Sequence, residues 1–233
     1  YLRRNLDNVL IGATWGAASL GLYSKAYGLL LLPVNQINRP LTSVAVPALS
    51  RLQTDAEGYR RFYRRFIECI TAAGMPVMLF AIIEADAIVH VVLGSQWSDA
   101  VPILVALAPA AIVGVMNVAG SAVFFSMGQA DRCLRAELAT VPVLILGLAV
   151  GLPYGALGVA VGFSISYSLT LPWSVWYAFR KTPLRGSDFV AATWRPVTGA
   201  TIAAGIIVLS QRLAFTRDLF VAIDLAISLL LFA

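Results

Sequence analysis

The chain has little charge and few of the residues that metal binding uses. Charged residues make up 12% of its 233 residues, against about 25% in an average soluble domain. It has one histidine and two cysteines, Cys69 and Cys133. Neither cysteine has a histidine or a second cysteine at the spacing of metal ligands. The sequence therefore predicts inert thiols, no metal site and no cofactor.

The features that mark an enzyme are also scarce. We find no nucleophile beside a base, no pair of carboxylates in an outer loop, and no glycine loop that would hold a phosphate. No loop is long enough to build an active site outside the apolar segments. A net charge of +5 is compatible with nucleic acid as a partner, but the basic residues follow a membrane topology pattern instead. We expect neither catalysis nor nucleic-acid binding.

Long apolar runs dominate what remains, because hydrophobic residues reach 59% of the chain. A helix that crosses the bilayer core of about 30 Å needs about 20 mostly apolar residues. The runs lack the alternation of strands. Their centres lie near Val9, Leu32, Phe80, Val113, Leu146, Ile165, Ala204 and Ile227. We predict an all-α, polytopic membrane protein with about eight transmembrane helices.

Basic residues are unevenly divided between the two sets of short connections. An excess of Lys and Arg in short loops marks the cytoplasmic side. The set that includes the amino-terminal end carries Arg3, Arg4, Arg51, Arg60, Arg61, Arg64, Arg65, Arg132, Arg135, Arg180, Lys181, Arg185 and Arg195. The opposite set carries only Arg212 and Arg217. We therefore expect the amino-terminal end to lie in the cytoplasm.

The first two predicted helices cover about residues 1–16 and 20–51. The second is longer than the membrane is thick, and Pro33, Pro40 and Pro47 should bend it. A basic amphipathic cytoplasmic linker is expected at about 51–65.

The predicted third helix, about residues 66–84, is followed by the sequence EADAIVHVVLGSQW, which is too short and too polar to cross again. We expect it to form an interfacial helix on the outer side. The fourth helix contains Pro102 and Pro109, and the fifth and sixth, about 132–151 and 156–179, carry glycines at four-residue spacing that favour close pairing.

Arg39 is the strongest candidate for a functional residue. It falls near the middle of the second helix, where a charge is costly unless it lines a watery cavity or is paired. It either attracts an anionic substrate, pairs with Asp7 or another acid, or snorkels along the helix. Asn35, Gln36 and Asn38 add polar groups around it, together with Thr42 and Ser43.

Two further residues are candidates for the same lining. Lys25 lies near the outer end of the second helix and either extends the cationic lining or snorkels to the outer headgroups. Asn8 lies on a polar face of the first helix, together with Asn5, Gly12 and Gly16, and we expect that face to look inward.

Several motifs, taken in order, resemble a known family. They are NLDNVLIG, LGLYSKAYGLLLLPVNQI, PLTSVAVPALSRLQTD, VVLGSQWSDAVPIL and GQADRCLR. They are similar to Wzx-type polysaccharide and lipopolysaccharide flippases of the multidrug, oligosaccharidyl-lipid and polysaccharide exporter superfamily. Related sequences often carry an arginine after the first motif, where this chain has Ala13 and Thr14.

The resemblance implies a fragment of a two-lobe transporter. Residues 1–180 would form the carboxy-terminal six-helix lobe, and 181–233 two additional transmembrane helices, the last one truncated. The amino-terminal lobe would be missing from this sequence. The family implies alternating access in the bacterial inner membrane, with an undecaprenyl-pyrophosphate-linked oligosaccharide as the substrate and membrane lipids as neighbours. Arg39, Asn35, Gln36, Asn38, Lys25 and Asn8 would bind that substrate.

Two other functions stay open at this point. A drug or cation antiporter of the same superfamily would favour a deep acidic site, and this chain has no central carboxylate. A membrane polymerase or ligase of surface glycans would need a sizeable outer loop with catalytic arginine or histidine groups, whereas the outer loops here are short.

Overall fold

The structure is a computed structural model that describes the backbone of residues 2–213 and the side chains of residues 5–211. Throughout this part of the chain the fold is all-helical, as the apolar runs predicted. The seven α-helices are α1 (Leu2–Arg51), α2 (Ala56–Ile83), α3 (Ala85–Val92), α4 (Val101–Ser126), α5 (Ala130–Gly151), α6 (Gly155–Phe179) and α7 (Gly186–Leu213). Short 3-10 turns, Ser95–Ala100 and Leu152–Tyr154, precede α4 and α6.

A sharp break at Gly16 folds α1 into a hairpin of two helical legs. Gly16 has a φ of 79°, a conformation that glycine adopts without steric cost. Across the hairpin, the Tyr23 hydroxyl donates a hydrogen bond to Asp7 Oδ2 at 2.7 Å. In a straight helix these two residues would be about 24 Å apart. The first two predicted helices, about 1–16 and 20–51, are therefore antiparallel neighbours, and the break between them lies at Gly16.

Helices α5 and α6 form a second hairpin with glycines between them. A Cβ atom at Gly151 would overlap the carbonyl group of Gly158, and one at Gly162 would overlap that of Gly147. The two backbones therefore approach each other more closely than side chains would allow. This confirms the pairing that the glycine spacing predicted.

One end of the bundle brings together the carboxyl ends of α1, α4 and α6 and the amino ends of α2, α5 and α7. The Tyr59 hydroxyl on α2 lies 2.8 Å from Ser126 Oγ at the end of α4. Arg132 on α5 donates to the carbonyl oxygen of Tyr177 on α6 at 2.7 Å. We call this the basic end, because most of the described arginines lie here.

The opposite end holds the Gly16 break, the α3 region and the turn between α5 and α6. Trp15 Nε1 donates to the carbonyl oxygen of Leu152 at 2.8 Å. Gln211 near the end of α7 donates to Glu84 at 2.6 Å. The chain therefore passes back and forth between two ends, and α3 is the short helix that the sequence predicted at the outer end.

Within the part of the chain that the structure describes, five helical stretches are long and apolar enough to cross a membrane. Two of them, Asn5–Arg51 and Ala130–Phe179, each include one of the hairpins described above. The structure thus does not confirm a count of about eight, and the predicted eighth helix lies outside the described residues.

The structure differs from the sequence-based expectation at the linker of about 51–65. Helix α2 begins at Ala56 and runs without interruption to Ile83. Its first turn is capped by Asp55, whose side chain accepts a hydrogen bond from the Gly58 amide at 2.9 Å. Only residues 52–55 separate α1 from α2. The predicted linker is thus mostly the helical start of α2.

Candidate functional site: the Arg39 groove

A groove opens along the second leg of α1, next to α4. Its volume is about 690 Å³, and we call it the Arg39 groove. Helix α1 contributes side chains at the three- and four-residue spacing that places them on one helix face. The lining consists of Asn38, Arg39, Thr42, Ser43, Val46 and Pro47 from α1 and of Val118, Ser121 and Phe125 from α4.

Arg39 is exposed in this groove. Among the side chains that the structure describes, no carboxylate forms an ion pair with it and no group accepts a hydrogen bond from it. The suggested pair with Asp7 does not form, because Asp7 is buried and accepts hydrogen bonds from Tyr23 and from the Asn8 amide. Tyr23 is sixteen residues from Arg39, or about 24 Å along the helix. The guanidinium is therefore free to bind an anion.

Two proline residues interrupt the backbone hydrogen bonding of this leg of α1. Helix α1 continues through Pro40 and Pro47, which have no backbone N–H. The carbonyl groups of Gln36 and Ser43, four residues earlier, therefore lack their usual helical donor.

Asn38 is the most deeply buried of the predicted site residues. Its side chain is 7% exposed, and its Oδ1 atom has no hydrogen-bond donor. Such a buried, unpaired acceptor costs about 1–3 kcal/mol. Asn35 and Gln36, by contrast, are exposed and lie one turn earlier on α1, outside the residues that line the groove.

The structure does not bring Lys25 or Asn8 to the Arg39 groove. The Lys25 ammonium lies 5.7 Å from the centre of the Trp97 ring, at the end opposite the basic end. It is fourteen residues, or about 21 Å, from Arg39 along the helix. Asn8 lies beside Asp7, and its Oδ1 atom is buried without a donor. Substrate binding by either residue stays a prediction.

Helix α4 contributes three residues to the wall of the Arg39 groove. Ser121 is the polar residue among them. Phe125 and Val118 were missed, because an apolar residue in an apolar helix carries no signal of a site. Asn117 lines a separate cavity of about 240 Å³ between α4, α5 and α6, and Ser126 bonds to Tyr59 at the basic end.

At the basic end, Asp188 joins α7 to α2. Its side chain is fully buried and pairs with Arg60, at 3.0 Å between Nε and Oδ2, and with Arg64. The backbone amide of Arg185 donates to it at 2.8 Å. Two of the arginines that were counted as topology signals therefore also hold helices together.

These features define a helical membrane protein with a groove between two of its long helices, in which Arg39 and a few polar side chains stand in a mostly apolar wall. A family model described as a polysaccharide biosynthesis protein matches residues 1–102. This match covers the α1 hairpin, α2 and the α3 region, and so it includes Arg39.

Curated relatives match most of the chain. The teichuronic acid biosynthesis protein TuaB of Bacillus subtilis (strain 168) is 26% identical over 97% of this chain and 48% of its own length. The lipopolysaccharide biosynthesis protein WzxC of Escherichia coli (strain K12) is 23% identical over 84% of this chain and 40% of its own length. The chain thus spans about half the length, or somewhat less, of the curated relatives that it matches. These matches confirm its resemblance to Wzx-type proteins.

Among solved structures, the lipid II flippase MurJ in an inward closed conformation has a similar fold. It superposes with a TM-score of 0.76 at 17% identity, over 99% of this chain and 50% of MurJ. The described helices therefore have the fold of half of that transporter.

Proposed function

We propose that this chain is one lobe of a bacterial inner-membrane transporter. By alternating access, it would flip lipid-linked oligosaccharide or polysaccharide precursors between the leaflets. The observation that carries the proposal is Arg39, a cation without a partner among the described residues, in an open groove between long apolar helices. The similarity to TuaB, WzxC and MurJ supports it.

The chemistry of such a substrate matches the groove. A pyrophosphate and its sugars cannot enter hydrocarbon without replacing their hydrogen bonds to water. The Arg39 guanidinium offers several donors to phosphate oxygens. The hydroxyl groups of Thr42 and Ser43 and the side-chain amide of Asn38 offer hydrogen bonds to sugar hydroxyls. The undecaprenyl tail would remain in the lipid.

A second lobe would supply the facing wall of the groove. The chain spans about half of its relatives, and MurJ superposes over half of its own length. We infer that the complete protein has a preceding lobe, that the basic end faces the cytoplasm, and that two transmembrane helices follow the six-helix unit. Rocking of the two lobes would then expose the groove to each side in turn.

The other two candidate functions fit the groove less well. An antiporter for drugs or cations would need an acid in the groove, and the residues that line it include none. A glycan polymerase or ligase would need a large outer segment. Between α2 and α4, and between α5 and α6, the described outer end consists of short helices and turns only.

The proposal is tested in cells by replacing Arg39 in the full-length protein. Arg39→Gln should abolish the export of the surface glycan while the protein is inserted at the normal level. Arg61→Gln is the matched control, because it removes an exposed arginine charge from α2, outside the residues that line the groove. Normal export by Arg39→Gln, or equal loss in both variants, would show that the groove does not carry the substrate.

A further inference from the structure

A second groove lies where α6 ends and the chain turns into α7. Its volume is about 300 Å³, and we call it the Trp176 groove. It is lined by Pro172, Val175, Trp176, Phe179, Arg180, Leu184 and Gly186. No residue lines both this groove and the Arg39 groove.

Most of the wall of the Trp176 groove is apolar and suits a hydrocarbon chain. Val175 and Pro172 come from the last turns of α6, and Phe179 and Leu184 form its buried floor. Trp176 is 54% exposed, although it is a large aromatic residue. Exposed tryptophans in membrane proteins concentrate where acyl chains meet headgroups.

Arg180 brings a positive charge to the Trp176 groove, and two further basic residues follow it closely along the chain. The Arg180 guanidinium lies 5.1 Å from the centre of the Trp176 ring, and Lys181 and Arg185 are exposed in the following turn. None of the three side chains forms an ion pair with a described carboxylate. Asp188, the next acid along the chain, is already engaged by Arg60 and Arg64.

We propose that the Trp176 groove is a specific site for an anionic phospholipid of the leaflet at the basic end. The phosphate diester lies between Arg180 and Arg185, and one acyl chain runs along Val175 and Phe179. Charge complementarity selects this occupant, because basic residues beside an apolar wall match an anionic headgroup above its hydrocarbon chain. Each arginine beside an anionic lipid strengthens binding by about fivefold.

The experiment uses the full-length protein in detergent, and lipid retention is counted by native mass spectrometry. Phosphatidylglycerol should be retained in preference to phosphatidylcholine, and the double variant Arg180→Gln/Arg185→Gln should lower its affinity by about tenfold or more. The control is Arg61→Gln/Arg65→Gln, which removes two exposed charges from α2 at the same end but outside the groove. That control should retain the lipid.

A second variant guards against a folding defect in the first. Trp176→Ala leaves every charge in place and should also release phosphatidylglycerol, with an unchanged elution volume in size-exclusion chromatography. Equal loss in the α2 control, equal retention of phosphatidylcholine, or full competition by inorganic phosphate would each overturn the proposal. If Trp176→Ala retained phosphatidylglycerol as the wild-type protein does, the apolar wall of the groove would not bind the acyl chain.

Discussion

The Tyr23 hydroxyl donates a hydrogen bond to the Asp7 carboxylate at 2.7 Å, across the hairpin that begins at Gly16. Both side chains are buried between the two legs of α1. This bond has two consequences. It helps to hold the legs together, and it occupies the acid that the sequence had offered as a partner for Arg39.

Tyr23→Phe should destabilise the protein, because it leaves the Asp7 carboxylate buried without its hydroxyl donor. The expected loss is about 1–3 kcal/mol, measured by unfolding of the purified protein in detergent. Tyr154→Phe is the control, because Tyr154 is 77% exposed and its ring stays in place. An equal effect of the two substitutions would show that the hydrogen bond does not stabilise the hairpin.

Gly151→Ala should disrupt the α5 and α6 hairpin, because the added methyl group would overlap the Gly158 carbonyl. Overpacking of this kind costs about 1–3 kcal/mol, so the variant should melt at a lower temperature or be recovered in lower yield. Gly199→Ala offers a matched control on α7, where a Cβ atom meets open space. If Gly151→Ala melts like this control, the helices do not pack as described.

Asp188→Asn should loosen α7 from α2, because it removes the charge that Arg60 and Arg64 share. We expect a lower melting temperature and faster proteolysis near the start of α7. Asp86→Asn also removes one acid, but its side chain is 78% exposed and should leave both measurements unchanged. Equal results for Asp188→Asn and Asp86→Asn would show that the ion pairs of Asp188 with Arg60 and Arg64 do not hold α7 against α2.

Asn38→Leu separates function from stability in the Arg39 groove. The Asn38 Oδ1 atom has no hydrogen-bond donor, so a leucine of similar size should leave the melting temperature unchanged or raise it. Glycan export should nevertheless fall, because a polar group that faces the substrate is lost. Normal export together with normal stability would exclude Asn38 from the substrate path.

Much of the fold could be predicted from residue patterns that act locally. The length of the apolar runs predicted the long helices. The glycine spacing in α5 and α6 predicted that these two helices pack closely together. The short polar run after α2 predicted α3. Polar groups around Arg39 were also predicted, and Asn38, Thr42 and Ser43 line the groove with it, whereas Asn35 and Gln36 do not.

The features that could not be predicted from the sequence depend on contacts between distant segments of the chain. The pairing of Asp188 with Arg60 and Arg64 was missed, because loop arginines were counted only as topology signals. Lys25 was expected near the outer end of the helix, either in the lining or snorkelling to the headgroups, and its ammonium lies beside the Trp97 ring, away from the groove. Phe125 lines the groove but looks like any other apolar residue of α4.

The most direct test is transport by the full-length protein in liposomes that contain a labelled undecaprenyl-pyrophosphate-linked oligosaccharide. Wild-type protein and Arg61→Gln should move the label to the opposite leaflet, whereas Arg39→Gln should leave it at the level of protein-free liposomes. Transport by Arg39→Gln at the wild-type rate would contradict the account, because the unpaired cation of the groove would then have no part in carrying the substrate.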